Sequence, residues 1–94
     1  MRPMLFRVRI VGPSMEPTLV NGQVAWARAG GLRPGRIAVF PEPGRAGLLV
    51  VKRLVRMEQG AWWVAGDNVD ASTDSRHYGP VEASSILGTV LGRR

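Results

Sequence analysis

The chain has 94 residues, 45% of them hydrophobic, which suits one packed domain spanning residues 1–94 and leaves no room for a second core. Thirteen Lys and Arg residues against seven Asp and Glu give a net charge of +6, and the lack of cysteine excludes disulfides, zinc–thiolate sites and a cysteine nucleophile. No stretch approaches the ~18–20 apolar residues of a membrane-spanning helix, and Arg2, Arg7 and Arg9 break up the opening segment where a secretory signal needs an apolar run, so the chain is expected to be soluble and cytoplasmic.

Phe6, Val8 and Ile10 alternate with Arg7 and Arg9, the period of a half-buried strand. Ser14 then sits in a turn-forming Gly12-Pro13-Ser14 setting, and residues 15–19 read as a helix-like turn. Residues 24–27 and 36–40 are short strand candidates, separated by the Gly30-Gly31 and Arg33-Pro34-Gly35 turns. Residues 48–57 form the longest strand candidate; residues 62–64 follow after a Gln59-Gly60 turn, and residues 86–91 are placed to close the sheet. Twelve glycines and seven prolines punctuate these runs at loop-length intervals. The expected fold is therefore all-β, with a few short helical turns.

Every cation of the chain is arginine except Lys52. A guanidinium stays charged, whereas a buried amine can lose its proton and act as a base. Alternation along residues 48–57 puts Lys52 on one face with Leu48, Val50 and Leu54, and turns Arg53 the other way beside Val51 and Val55. If that apolar face is the inner one, burial lowers the pKa of the amine. Reaching the ~7–8 useful for a base at neutral pH takes roughly 3 units, about 4 kcal/mol of differential solvation. A serine nucleophile with a neutral lysine base is an established form of activated-nucleophile chemistry, which makes Ser14 and Lys52 the candidate catalytic pair.

Three segments together resemble the type I signal peptidases and their LexA-like relatives, which use a Ser–Lys dyad on a β-rich fold. Gly12-Pro13-Ser14-Met15-Glu16-Pro17-Thr18-Leu19 resembles the nucleophile box and Val51-Lys52-Arg53-Leu54 the strand of the general base. The run from Gly66-Asp67-Asn68 through Ser72, Asp74-Ser75-Arg76 and Gly79-Pro80-Val81 resembles the last box. Residues 33–40 resemble the intervening strand box, with Arg36 where an acidic residue is usual. The resemblance spans about residues 10 to 91 and implies a compact signal-peptidase-like core. It makes Ser14 the nucleophile, Lys52 the base, Ser72 the hydroxyl that orients the lysine, and the Ser14 N–H part of the oxyanion hole. Gly12 stands in the oxyanion region, where some relatives carry a second hydroxyl donor. Asp67, Asp74 and Arg76 are implied to be structural charges holding the last box in shape. No cofactor and no metal are implied.

Ordinary type I signal peptidases carry a membrane anchor before the nucleophile box, and many a large insert between the lysine and last boxes. This sequence is expected to have neither, and among the short, anchor-free members it best resembles the nickel-type superoxide dismutase maturation proteases. That resemblance implies a protein substrate, the precursor of a nickel superoxide dismutase, whose N-terminal propeptide would be removed. Two rivals stay open. One is the same chemistry on other preproteins or on the chain itself, where Ala29-Gly30, Ala46-Gly47 and Ala65-Gly66 are the candidate bonds. The other is a non-enzymatic basic β-module for an acidic partner. The arginines are scattered without aromatic interleaving, so nucleic acid is not an expected partner. So small a domain would gain stability by pairing with itself or with its substrate. Trp62 and Trp63 read as one buried and one surface aromatic. His77 is the single histidine, and its place in a loop box argues against a catalytic role.

Overall fold

The structure, a computed structural model, describes residues 5–92. The opening segment through Met4, and the terminal arginines Arg93 and Arg94 of the scattered basic surface, lie outside the described residues. The expected all-β fold is present. Strands β1 (Leu5–Arg9), β2 (Val24–Arg28), β3 (Ile37–Pro41), β4 (Leu49–Glu58), β5 (Ala61–Ala65), β6 (Val81–Glu82) and β7 (Gly88–Gly92) form one antiparallel sheet in the order β1-β2-β7-β3-β4-β5-β6. One four-residue helix, α1 (Ser75–Tyr78), and two 3₁₀ turns, Val69–Ala71 and Ala83–Ser85, lie between β5 and β7.

The sheet buries apolar side chains on both faces, and β3 is the strand that divides them. Ile37 and Val39 join Val8, Ile10, Met15, Leu19, Ala25, Ala27, Val51 and Val90 in one cluster. Ala38 and Phe40 face the other way, with Leu54, Trp62, Val64 and Val81. A strand covered on both sides reads as a continuous apolar run, which is why residues 37–40 do not alternate. Alternation holds where one face meets solvent, as on β2.

The β4–β5 hairpin turns at Gln59 (φ 52°) and Gly60 (φ 83°), two left-handed residues in succession, as a two-residue turn matched to strand twist requires. One irregularity matters for register. Leu54 pairs with Val64 and Arg56 with Trp63, so Val55 is an extra residue in β4 and lies 41% exposed. Strict alternation from Lys52 therefore stops at Leu54. Trp62 is buried beyond the bulge, while Trp63 is half-buried with the Arg56 guanidinium 4.9 Å from its ring centroid.

Candidate active site

The candidate nucleophile lies in the connection from β1 to β2. That loop is closed at its base by Ile10 N–H donating to the Gln23 carbonyl (2.8 Å) and Gly22 N–H to the Ile10 carbonyl (2.7 Å). Gly12 N–H donates to Asn21 Oδ1 (2.8 Å), and Gly12 has φ +87°, with open space where a Cβ would stand. Glycine is selected there by backbone conformation. The expected helix-like turn is a run of hydrogen-bonded turns with one helical contact, Leu19 N–H to the Met15 carbonyl (3.0 Å). Met15 and Leu19 are wholly buried and fasten the loop to the first cluster. Fully burying each such side chain stabilises by roughly 1.5–3 kcal/mol, more than the turn hydrogen bonds contribute. Among the described residues the Ser14 N–H has no acceptor, so this donor is available to a ligand in the cleft.

Lys52 comes from the middle of β4, directly opposite Ala38 and so on the same face. It is 4% exposed, and its Nζ stands 3.0 Å from Ser14 Oγ. Burial pushes the amine below the ordinary lysine value, while Glu42 and Asp74 oppose that shift by favouring the ammonium. If the amine is neutral, the same short contact runs the other way, with the Ser14 hydroxyl donating to the nitrogen lone pair. Gly12, Pro13, Ser14, Glu42, Arg45 and Lys52 line an open cleft of about 360 Å³. A larger hollow, about 540 Å³, lies between Pro17–Leu19, Gly35–Ile37, Arg53 and Val90–Leu91; it contains neither Ser14 nor Lys52. The smaller cleft is the candidate site because Ser14 and Lys52 both line it.

The segment after β5 braces this pair from behind. Asn68 N–H donates to the Ser14 carbonyl (2.8 Å) and its side-chain amide to the Pro13 carbonyl (3.0 Å). Asp67 accepts from Thr18 Oγ1 (2.6 Å) and from Arg53 Nε and Nη2 (2.8 and 2.6 Å). The hydrogen-bonded Arg53 holds the Asp67 carboxyl below its ordinary range. Asp74 is 1% exposed and accepts from the Gly66 N–H (3.0 Å), Ser72 Oγ (2.8 Å), and the backbone N–H and Nε of Arg76 (3.2 and 3.0 Å). Burial alone would raise its pKa, but these bonds, led by Arg76, hold it down at about 2. Arg76 also donates to the carbonyls of Val69 and Ser72, which closes the loop on itself.

The Ser72 hydroxyl makes a different hydrogen bond from the one the resemblance implies. Its hydroxyl proton goes to Asp74, and no hydrogen bond joins it to Lys52 among the described residues. A buried carboxylate is the stronger acceptor, so it takes that proton. The side chain is close to the nucleophile all the same. A Cβ on Gly66 would lie 2.2 Å from Ser72 Oγ and 2.7 Å from the Ser14 carbonyl, so Gly66 is where the two segments nearly touch. His77 is spent on structure: its Nδ1 accepts from the Asp74 N–H (3.1 Å) in the box that caps α1. Sequence reasoning missed Glu42 in the cleft and Tyr78, whose buried hydroxyl has no partner among the described residues. Pro41-Glu42-Pro43 reads only as a loop, and nothing in it signals a neighbour of the lysine.

Residues 55–93 match the sequence profile of the family described as signal peptidase, peptidase S26. The chain is 32% identical to the mitochondrial ATP-independent inner membrane protease subunit 1a of Arabidopsis thaliana over 120 aligned residues, covering 98% of this chain and 71% of the relative. The chain belongs to the S26 signal peptidase family. It is also 30% identical to mouse mitochondrial inner membrane protease subunit 1 over 105 residues, covering 85% of this chain and 63% of the relative. The Xenopus tropicalis protein of the same name is 32% identical over 107 residues, covering 87% and 64%. The chain thus spans less than two-thirds of the mouse and frog relatives. The S26 profile match takes in the last box and β7, while Ser14 and Lys52 are singled out by their geometry. The relatives' names place them at an inner membrane, in tension with the cytoplasmic expectation. Among the described residues no helix is long and apolar enough to cross a membrane.

Proposed function

We propose that this S26 family chain is a serine endopeptidase working through a Ser14–Lys52 dyad. The observation that carries the reading is a nearly inaccessible lysine amine 3.0 Å from a serine hydroxyl that opens into a cleft. Neutral Lys52 takes the hydroxyl proton as Ser14 Oγ attacks the scissile carbonyl carbon. The negative charge that develops on the carbonyl oxygen meets the unengaged Ser14 N–H. The C–N bond breaks as the ammonium returns that proton to the leaving amine, leaving an ester on Ser14. Lys52, neutral again, draws a proton from water as the oxygen adds to the ester carbonyl; the ester C–O bond then breaks and the ammonium returns that proton to Ser14 Oγ, releasing the acid product and restoring the dyad. Ser72 acts through Asp74: its proton engages the carboxylate whose field reaches Lys52.

For the client, the short path from Lys52 to the last box and the resemblance to nickel-type maturation proteases favour the precursor of a nickel superoxide dismutase. Removal of its propeptide is the activity to test first. A second reading follows from the relatives, whose names point to processing at a membrane: preproteins delivered there. The test is the N-terminal mass of the nickel superoxide dismutase precursor after incubation with the wild type and with Lys52→Arg. A single cut by the wild type alone supports both dyad and client. An intact precursor beside a folded protein moves the client to a membrane-delivered preprotein, and shortening of the chain itself moves it to self-cleavage. Binding of an acidic partner that survives Ser14→Ala and Lys52→Arg, with no cut, would favour a non-enzymatic module.

A further inference from the structure

Glu42 lines the dyad cleft together with Ser14 and Lys52, and its place there is fixed by the chain. Prolines precede and follow it, which restricts the backbone on both sides. Its N–H donates to the Leu48 carbonyl (2.9 Å), and its own carbonyl accepts from the Arg45 N–H (3.0 Å). The loop between β3 and β4 therefore fixes the backbone that carries this side chain at the cleft. Asp67, Asp74 and Glu58 are each held by an arginine, whereas the half-buried Glu42 side chain has no ion pair or hydrogen bond among the described residues. Arg45 lines the same cleft, but it is exposed and lies beyond ion-pair distance of Glu42.

We propose that Glu42 is a specificity determinant, selecting peptides that carry a basic side chain beside the scissile bond. The proposal rests on the peptidase reading above. An unpaired carboxylate in a partly water-excluded cleft favours a cation over a neutral or acidic group. Binding a cation there also has a consequence for the chemistry. The groups acting on Lys52 are Ser14 from the nucleophile turn, Glu42 from the β3–β4 loop and Asp74 at the cap of α1. Tyr78 on α1 also feels the charges of Glu42 and Asp74, which places all four groups within one electrostatic neighbourhood. Burial favours the neutral amine and the two carboxylates oppose it. A substrate cation against Glu42 cancels one of those opposing fields, so occupied enzyme holds more Lys52 in the neutral, reactive form. Substrate charge is thereby coupled to activation of the base.

The test uses a set of otherwise identical peptides with Lys, Ala or Glu at each position flanking one cleavable bond. At one of these positions the wild type should show kcat/KM about five- to tenfold higher for Lys than for Ala, with Glu poorest. The acid limb of its kcat profile should lie at lower pH for the Lys peptide. In Glu42→Gln the two peptides should become equal, and the acid limb for the Ala peptide should itself move to lower pH, because one field favouring the ammonium is gone. Glu42→Lys should reverse the order toward the Glu peptide. Equal cleavage of Lys and Ala peptides by the wild type, or a preference that persists in Glu42→Gln, overturns the inference and leaves the peptidase reading intact. Failure of the wild type to cleave any peptide overturns the peptidase reading, and this inference with it.

Discussion

Asp67 grips Arg53 with both carboxylate oxygens, at 2.8 and 2.6 Å, and one of those oxygens also accepts from Thr18. Arg53 directly follows Lys52 in β4, and Thr18 belongs to the turn that carries Ser14. One carboxylate thus ties the strand of Lys52 to the loop of Ser14. The Ser14 loop is braced by this tie together with the Asn68 contacts to Pro13 and Ser14. Asp67→Ala should leave Arg53 without its partner and loosen the pair. The expected result is a loss of about 1–3 kcal/mol in chemical denaturation, with kcat falling more than KM rises. An unchanged kcat would separate the tie from the chemistry.

Gly66 has no room for a side chain. A Cβ would stand 2.2 and 2.5 Å from the Ser72 side chain and 2.7 Å from the Ser14 carbonyl. Gly66→Ala should therefore destabilise by about 1–3 kcal/mol through overpacking and displace Ser14 relative to Lys52. Denaturant unfolding and turnover measured on the same preparation check both effects.

Lys52 should reduce stability at neutral pH while serving the site. Its folded-state pKa is depressed, first by burial, so between that value and its ordinary 10.5 the unfolded chain binds more protons. Stability then rises with pH across this window. Lys52→Met removes the cost, so the variant should melt above the wild type near pH 7, and the gap should close as pH approaches 10.5. Melting temperatures at stepped pH give the answer; a variant less stable at every pH would contradict the burial argument.

Asp74 runs the opposite way. Its pKa of about 2 lies below the ordinary 3.8, which corresponds to about 2 kcal/mol of stability at neutral pH. That contribution is complete above pH ~4 and fades as pH falls toward 2. The wild type should lose stability over this interval, and Asp74→Asn should lose much less over it from a lower starting value. Acid titration of the unfolding free energy for both proteins measures the difference.

The strands β1 and β2 were legible because they are covered on one side only. Phe6, Val8 and Ile10 show the period openly, and Gln59-Gly60 marks the β4–β5 hairpin. The four-residue α1 was not legible, since its cap pairs Asp74 with His77 in place of the usual Glu or Gln. The Val55 bulge was equally hidden, because nothing local distinguishes an extra residue from a paired one. In the site, Lys52 stood out as the single lysine in an apolar strand and Ser14 through its turn setting and motif. Two features needed the tertiary structure. The proton of Ser72 turns to Asp74, a contact set by competition among acceptors, and Glu42 reaches the cleft because the β3–β4 loop folds back there.

The most direct measurement is acylation of Ser14 by an amide- or ester-forming active-site probe, followed by intact mass as a function of pH. The account predicts one adduct, on Ser14, at a rate that rises with pH through a single ionisation below that of an ordinary lysine, and no adduct on Ser14→Ala. Lys52→Arg should acylate at least about 10³-fold more slowly while keeping its fold. Acylation of Lys52→Arg at the wild-type rate would contradict the neutral-amine mechanism.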